Sequence, residues 1–477
     1  MAESRMSISP RIIPADRRAA RTLGVAAAVL FAVSLALFWP GYVAYDSLAQ
    51  YAQATSGQYE DWHPPIMARL WSLFGDRGPA PMLAVQLGAY WLGLGLFAAA
   101  LAARGRRRAA WIMLAIGVWP PLLGWQGVVL KDLQMSAALL AATGIVGWWR
   151  LRGRRLPGWS FAALVPLFGY AVLVRANAPF AVVPLIAMLL PWPRGLARIA
   201  VALVGTVAAI GVASPINHGV LGARRTGVEQ TQALYDLVGI GVRSGDAAVG
   251  LPVATLDAIR AKRCVRPYFW DPLGEPRRCE ALVAPVRAEP AGTLYVRLAG
   301  MILRHPLAYA GHRLAHLNST ERLWVPRHWL GAAPLRASEP NTLGFGEPGP
   351  LARTWQVIGA GLMETPLGWP IVWVVAAIAG LWCALRAQAR GRGDDAVAAA
   401  LFTSALTMEA SFAVISIASD LRYHLWTLTA TAIGWVLLGP RHWPRAPTLL
   451  LVAMVLIGGV ARAILPEAPQ SYVGMLG

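Results

Sequence analysis

A chain made of apolar runs, each about the length of a bilayer crossing and separated by short arginine clusters, has few ways to fold. Inside hydrocarbon every backbone amide and carbonyl must be satisfied by the protein itself, which leaves helices or a closed barrel. Runs of about 17–25 mostly apolar residues select helices. Such runs occupy residues 22–39, 80–103, 109–125, 133–149, 159–174, 178–192, 197–214, 368–386, 396–418, 423–439 and 446–464. The expected fold class is an all-α polytopic membrane protein of about 11 transmembrane helices. Composition agrees: 56% of the 477 residues are hydrophobic and only 14% are charged, against about a quarter charged in a soluble domain.

The net charge of +19 comes from 43 Lys+Arg against 24 Asp+Glu. A basic balance can signal nucleic acid. Here the arginines instead mark short connections: "RGRRR" (104–108), "RLRGRR" (150–155), "PRGLAR" (193–198), "RAQARGR" (386–392) and "PRHWPR" (440–445). With the N-terminus in the cytoplasm, all five fall on the inside, as the positive-inside pattern requires. The expectation is a multi-pass protein of the inner (plasma) membrane with no nucleic-acid partner. The tail carrying Arg5, Arg11, Arg17, Arg18 and Arg21 has the charge of a signal n-region. No small-x-small cleavage site follows in "FWPGYVAYD", so the first span is read as uncleaved.

The stretch 215–366 is too long and too mixed to be a connector. It is read as an extracytoplasmic part between spans 7 and 8. The chain then divides into a membrane module, 1–214, containing the first outer loop, 40–65; the 215–366 part; and C-terminal transmembrane helices, 367–477. Within the middle part, "GTLYVRLAGMILRHPLAYAGHRLAHL" has helical periodicity and is expected along the membrane surface. Arg297, Arg304 and Arg313 argue against a twelfth span there. Cys264 and Cys279, 15 residues apart, could pair in an oxidising compartment; the alternative is two free thiols. Cys383 lies in a span. No internal repeat stands out.

The polar motifs gather on the outer side. Residues 40–65 contain no Lys or Arg but hold Asp46, Glu60, Asp61 and His63; the other short outer loops carry Lys131 and Asp132 in "VVLKDLQ", Arg175 and Asn177 in "VRANAP", and Asp420, Arg422, Tyr423 and His424 in "SDLRYH". Acids can act as general bases or hold a metal. Isolated cations near a membrane suit a phosphate. Plainer readings stand beside these. Asp46 can simply cap a helix; Glu60 and Asp61 can be a solvated turn; His63 can be a hydrogen-bonded residue before the "HPP" helix start. Lys131–Asp132 can be an interfacial ion pair, and Arg422 can snorkel to head groups. Glu409 lies well inside a span, where an acid is a functional candidate or a buried hydrogen-bonded one. Trp and Tyr at span ends fit an aromatic belt. The sequence has no P-loop, G-x-S-x-G or H-E-x-x-H motif, so ATP-hydrolysing and serine-hydrolase chemistry have no support.

Four segments, "FWPGYVAYDSLAQYAQATSGQYEDWHPPIMARLW", "LKDLQMSAALL", "VRANAPF" and "LRYHLW", in that order resemble a group of bacterial membrane proteins that in turn look like the GT-C superfamily of integral-membrane glycosyltransferases. The resemblance covers most of the hydrophobic chain and is weak across 215–366. It implies a GT-C-like fold and an acid in the first outer loop. It also implies a polyprenyl-phosphate or polyprenyl-diphosphate sugar donor and inverting transfer to an extracytoplasmic glycan, lipid or protein. Asp46 matches the loop position of the catalytic acid best. Many such enzymes carry a close acidic pair there; here Asp46 stands alone and Glu60–Asp61 follows fourteen residues later. Which acid is the base, and whether a divalent cation such as Mg or Mn takes part, therefore stay open.

On this reading Asp46 takes the acceptor's proton. Lys131, Arg175 and Arg422 face the donor phosphate. Glu60, Asp61, His63, Asp132, Asn177, Tyr423 and His424 orient the substrates, and the lipid chain lies between spans. The competing classes are a transporter or flippase of lipid-linked saccharides and a non-catalytic envelope-assembly scaffold. A transporter usually places ionisable groups near the midplane and shows repeats; here Glu409 is nearly alone within the spans.

Overall fold

The computed structural model describes residues 16–191, 195–388, 395–440 and 443–476. Arg5, Arg11 and loop residues 193–194, 389–392 and 441–442 lie outside the described residues. Helices form throughout; the only β-structure among the described residues is three isolated bridges.

The first segment is helix α1 (Arg17–Phe38), whose N-terminus is capped by Asp16 accepting from the Ala19 amide at 2.8 Å. Short helices α2 (Tyr45–Ser56) and α3 (Pro65–Ser72) follow, then α4 (Ala80–Ala103). The expected span 109–125 is two helices, α5 (Arg107–Gly117) and α6 (Pro120–Gln126), bent by 53°. Pro120 and Pro121 explain the break, because a proline disfavours helical geometry in the residue before it, and Trp119 is extended there. Next come α7 (Lys131–Arg150), α8 (Phe161–Val174), α9 (Pro179–Leu189) and α10 (Leu196–Pro215). The 215–366 part contributes α11 (Thr231–Ser244), α12 (Val253–Ala261), α13 (Glu280–Arg287), α14 (Ala291–Arg304), α15 (Pro306–Glu321) and α16 (Pro350–Met363). The chain ends with α17 (Pro370–Gln388), α18 (Asp395–Ile415), α19 (Leu425–Leu438), α20 (Arg445–Ile464) and α21 (Tyr472–Leu476).

Six helices are long and apolar enough to cross a membrane, and a seventh is added if the bent α5–α6 pair is one span. The protein is membrane-embedded. Helices also stand at the other expected spans, but α7 carries Lys131, Asp132 and several buried polar residues, while α8, α9 and α19 are short. Most of α7 is buried among its neighbours, so its side chains answer to protein rather than lipid. By contrast α1, α10 and α20 expose most of their apolar surface.

The tightest crossing is α4 on α7. A Cβ on Gly144 would stand 2.7 Å from the Gly93 Cα, and one on Gly93 would fall on the Leu140 carbonyl. Only glycine permits that approach, the small-residue packing typical of membrane helices.

A second apolar core joins α11, α12, α13 and α14, and within it Cys264 and Cys279 are disulfide-bonded with Cα atoms 6.2 Å apart. The expected single surface helix is broken at His305–Pro306 into α14 and α15. One face of α14 buries Leu294, Leu298 and Met301, while Val296 and Leu303, with Leu307 and Leu314 of α15, stay exposed. From α15, Arg313 pairs with buried Asp236 of α11 and donates to the Ser416 carbonyl at 2.6 Å, tying this part to the end of α18.

Candidate functional site

The site begins with a backbone contact. After α1, Tyr42 donates its amide to the Gly127 carbonyl (3.0 Å) and accepts from the Val129 amide (2.9 Å). This bridge sets the starts of α2 and α7 side by side, and the Ser47 hydroxyl donates to the Val129 carbonyl to lock it. Asp46, in the first turn of α2, therefore meets Lys131, the first residue of α7: the carboxylate Oδ2 lies 3.3 Å from Lys131 Nζ. Asp46 does not cap α2. The N-cap is Ala44, whose amide donates to Ser47 Oγ instead.

A 3₁₀ turn, Leu421–His424, supplies the next groups. Arg422 Nη2 lies 3.3 Å from the same Asp46 oxygen and 3.2 Å from Asp420 Oδ2, and its Nε is 3.6 Å from Asp132 Oδ2. Asp132 is almost fully buried and also holds Arg175. Arg175, just past α8, donates from Nε to Asn177 Oδ1 at 3.0 Å, and its guanidinium sits 4.0 Å over the Tyr423 ring. Three acids and three cations thus interlock. Asp132 is 1% exposed, whereas Asp46, Lys131 and Arg422 are each about 15% exposed and Asp420 is 24%. The network has a buried base and a partly open mouth.

Burial opposes ionisation of Asp46, but Lys131 and Arg422 outweigh it and hold its carboxyl well below the usual range. His63 is buried beside Lys131. Its Nδ1 accepts from the ammonium at 3.0 Å, which leaves Nε2 to carry the ring proton. Burial first, and Lys131 second, push the imidazole down to about 4.

Of the residues expected from the sequence, Asp46, His63, Lys131, Asp132, Arg175, Asn177, Arg422 and Tyr423 come together in this network. Glu60 and Asp61 go elsewhere. Asp61 accepts from the Thr226 amide (2.8 Å) and hydroxyl (2.7 Å) and lies 3.5 Å from His218 Nε2, while Glu60 is 3.5 Å from Arg224. Both dock the chain after α10 onto the first connection. His424 also turns away: its Nδ1 is 2.8 Å from Glu409 Oε2 on α18, inside the protein.

Two participants left no mark in the sequence. The Tyr268 hydroxyl donates to Asp420 Oδ1 at 3.1 Å. Gly331, at positive φ, lies so close to Asp420 and that hydroxyl that any side chain would displace both, and its carbonyl accepts from the Leu421 amide at 3.0 Å. Both come from the 215–366 part, which also pairs with the chain just before this turn through the Trp270 amide to the Ile417 carbonyl at 2.9 Å. No family model, no curated protein and no solved structure matches the chain.

Proposed function

We propose that the protein is a membrane glycosyltransferase that moves a sugar from a polyprenyl-phosphate-linked donor to an extracytoplasmic glycan, lipid or protein acceptor, with inversion. The observation that carries this reading is the convergence of Asp46 with Lys131 and Arg422 at the open side of a network whose buried side is Asp132. A carboxylate flanked by two cations can serve both halves of a transfer. Asp46 takes the proton from the acceptor hydroxyl as that oxygen attacks the anomeric carbon. The bond from that carbon to the phosphate oxygen breaks, and Lys131 and Arg422 stabilise the departing lipid phosphate. Both cations sit on Asp46 and suppress its basicity. A donor phosphate that engages them raises the basicity of Asp46 as it binds, so donor binding precedes proton transfer.

In this reading Arg175 is held by Asp132 and Asn177 and fixes the Tyr423 ring; it faces the donor from behind Arg422. His63 positions Lys131. A divalent cation does not fit at Asp46: it would meet Lys131 and Arg422 at the same carboxylate, and Asp132 and Asp420 already serve arginines. Eleven crossings, an N-terminus in the cytoplasm of the inner membrane and an extracytoplasmic site complete the proposal. The helices at all eleven expected positions, the alternation of arginine-rich loops and the Cys264–Cys279 disulfide support it.

The test is donor binding by the purified protein in nanodiscs. Loss of a charge-assisted contact costs on the order of 1.5–3 kcal/mol, so Arg422→Ala and Lys131→Ala should each weaken binding of a polyprenyl-phosphate sugar by roughly 10- to 100-fold. Normal binding by both variants overturns the assignment. Movement of intact lipid-linked sugar across vesicles without a transfer product would point to a flippase instead.

A further inference from the structure

Behind the network, and sharing no ion pair with it, lies a second polar cluster. Glu321 ends α15, Glu409 lies in α18, and His424 closes the 3₁₀ turn that carries Arg422. One carboxylate oxygen from each glutamate and one ring nitrogen of His424 lie within 4.8 Å of one another, and all three residues are buried. Among the described residues no other group of His, Cys, Asp and Glu meets that closeness.

The cluster has an unsatisfied charge and unsatisfied atoms. Glu321 is 6% exposed and Glu409 3%; Glu321 Oε2 and Glu409 Oε1 have no well-aligned donor, and the two carboxyls face each other with Thr427 beside Glu409. No described Lys or Arg forms an ion pair with either: the adjacent Arg322 pairs with Glu364, and Glu409 faces His424 and Glu321. Two facing buried carboxylates without a counter-charge are costly, and either a shared proton or a cation between them removes that cost.

We propose that Glu321, Glu409 and His424 form a binding site for one divalent transition-metal ion, zinc or manganese, clamping the 215–366 part to the membrane helices. Two carboxylates and a neutral imidazole leave a doubly charged cation electrically balanced. Nitrogen and oxygen donors at bond lengths of about 2.0–2.2 Å suit these ions. Ligand atoms of a tetrahedral ion then stand roughly 3.3–3.6 Å apart, reached here by small side-chain rotations. His424 offers Nδ1, the nitrogen facing Glu409, and its Nε2 lies 3.3 Å from the Thr320 hydroxyl, an outer partner of the kind that fixes a metal-bound imidazole. Because His424 follows Arg422 by two residues, the ion also fixes the turn that aims Arg422. The site is separate from Asp46 and does not depend on the transferase reading.

The experiment is elemental analysis of untagged, full-length protein purified in detergent, followed by thermal unfolding with added zinc or manganese and with EDTA. About one equivalent of metal per chain is expected, with a Tm several degrees higher in the metal-bound form. Glu409→Gln and Glu321→Gln, which keep shape, should fold but retain less than about a tenth of the metal. Cobalt substitution should give the absorption of a tetrahedral nitrogen and oxygen site. Metal-free wild-type protein whose Tm ignores both ions would show that the carboxyls share a proton instead, and the proposal falls. It falls equally if the metal is lost in Asp46→Asn but kept in Glu409→Gln.

Discussion

Asp46 and Asp132 are both acids in the first turn of a helix, where the helix dipole favours a negative charge, but their surroundings give them opposite duties. Asp46 is partly open and shares its cations with solvent. Asp46→Asn keeps the shape and should lower the proposed transfer by roughly 10²–10⁴-fold, with a fall in Tm from the lost ion pairs that is smaller than the one at Asp132. Asp132 is buried against Arg175 and Arg422. Asp132→Ala leaves buried guanidinium charge unmatched and should cost roughly 3–5 kcal/mol, seen as lost folded protein rather than a specific loss of turnover. Turnover and Tm measured on both variants separate chemistry from architecture, and an active Asp46→Asn enzyme removes Asp46 from the mechanism. The pH dependence follows the same environments. The folded-state value for Asp46 lies below its unfolded one, so its contribution is complete above the ordinary carboxylate range and is lost only in strong acid; the gap in Tm between wild type and Asp46→Asn should be flat from about pH 5 to 8. His63 is also lowered, from 6.5 to about 4. Its contribution is present above 6.5 and lost as pH falls toward 4, so His63→Gln should remove part of the acid sensitivity in that window.

At the scale of elements, the α4–α7 crossing is where sequence and packing are most strictly coupled. Gly144→Leu would drive a side chain into the Gly93 backbone, which cannot move aside as a side chain could. Overpacking of this kind costs roughly 1–3 kcal/mol or more, and with it the position of Lys131 at the head of α7. Gly169 of α8 has nothing within 4 Å of its would-be Cβ, so Gly169→Ala should be neutral or slightly stabilising. Comparing detergent-extracted yield and Tm for the two variants tests this, and equal tolerance would mean that the close approach is not needed. Hydropathy marked where these helices lie, because burial in protein or lipid demands the same apolar runs. It could not say which helices face lipid: α7 and α10 read alike as spans, yet one is enclosed and the other bare. The α5–α6 bend was legible in hindsight from Pro120–Pro121, and the α14–α15 break from Pro306. The grouping of Asp46, Lys131, Arg175 and Arg422 was legible because Asp46 is the first acid after the first apolar run and each of the others is the single Lys or Arg of a short outer loop. Tyr268, Gly331 and the destinations of Glu60 and Asp61 were not, since they depend on long-range pairings, from Gly331 with Leu421 to Asp61 with Thr226, that no local pattern encodes.

At the scale of the whole molecule, the proposed topology predicts which surfaces a membrane-impermeant reagent can reach. On a cysteine-free background in intact cells, a cysteine at position 57 should react and one at 107 should not; the reverse result would invert the scheme and, with it, the compartment assigned to the Cys264–Cys279 disulfide. The five arginine-rich loops, with 15 of the 43 Lys and Arg, lie on the opposite face from the site in this topology. The site itself is three acids against three cations. From a distance such an arrangement casts almost no field, so a passing phosphate is neither drawn in nor repelled. Free phosphate and nucleotides, offering only charge, gain little by prying Arg422 from Asp46. A molecule whose long hydrocarbon tail is already dissolved among the helices arrives at high local concentration and can hold its head group in place while the ions exchange partners. Capture of the donor should therefore vary little between about 0.05 and 0.5 M salt, a range that shrinks the screening length several-fold, and rapid-mixing measurements at the two extremes would reveal a dependence if the mouth were steering after all. Neutrality at rest makes the pocket blind to charge alone and open to charge that comes anchored.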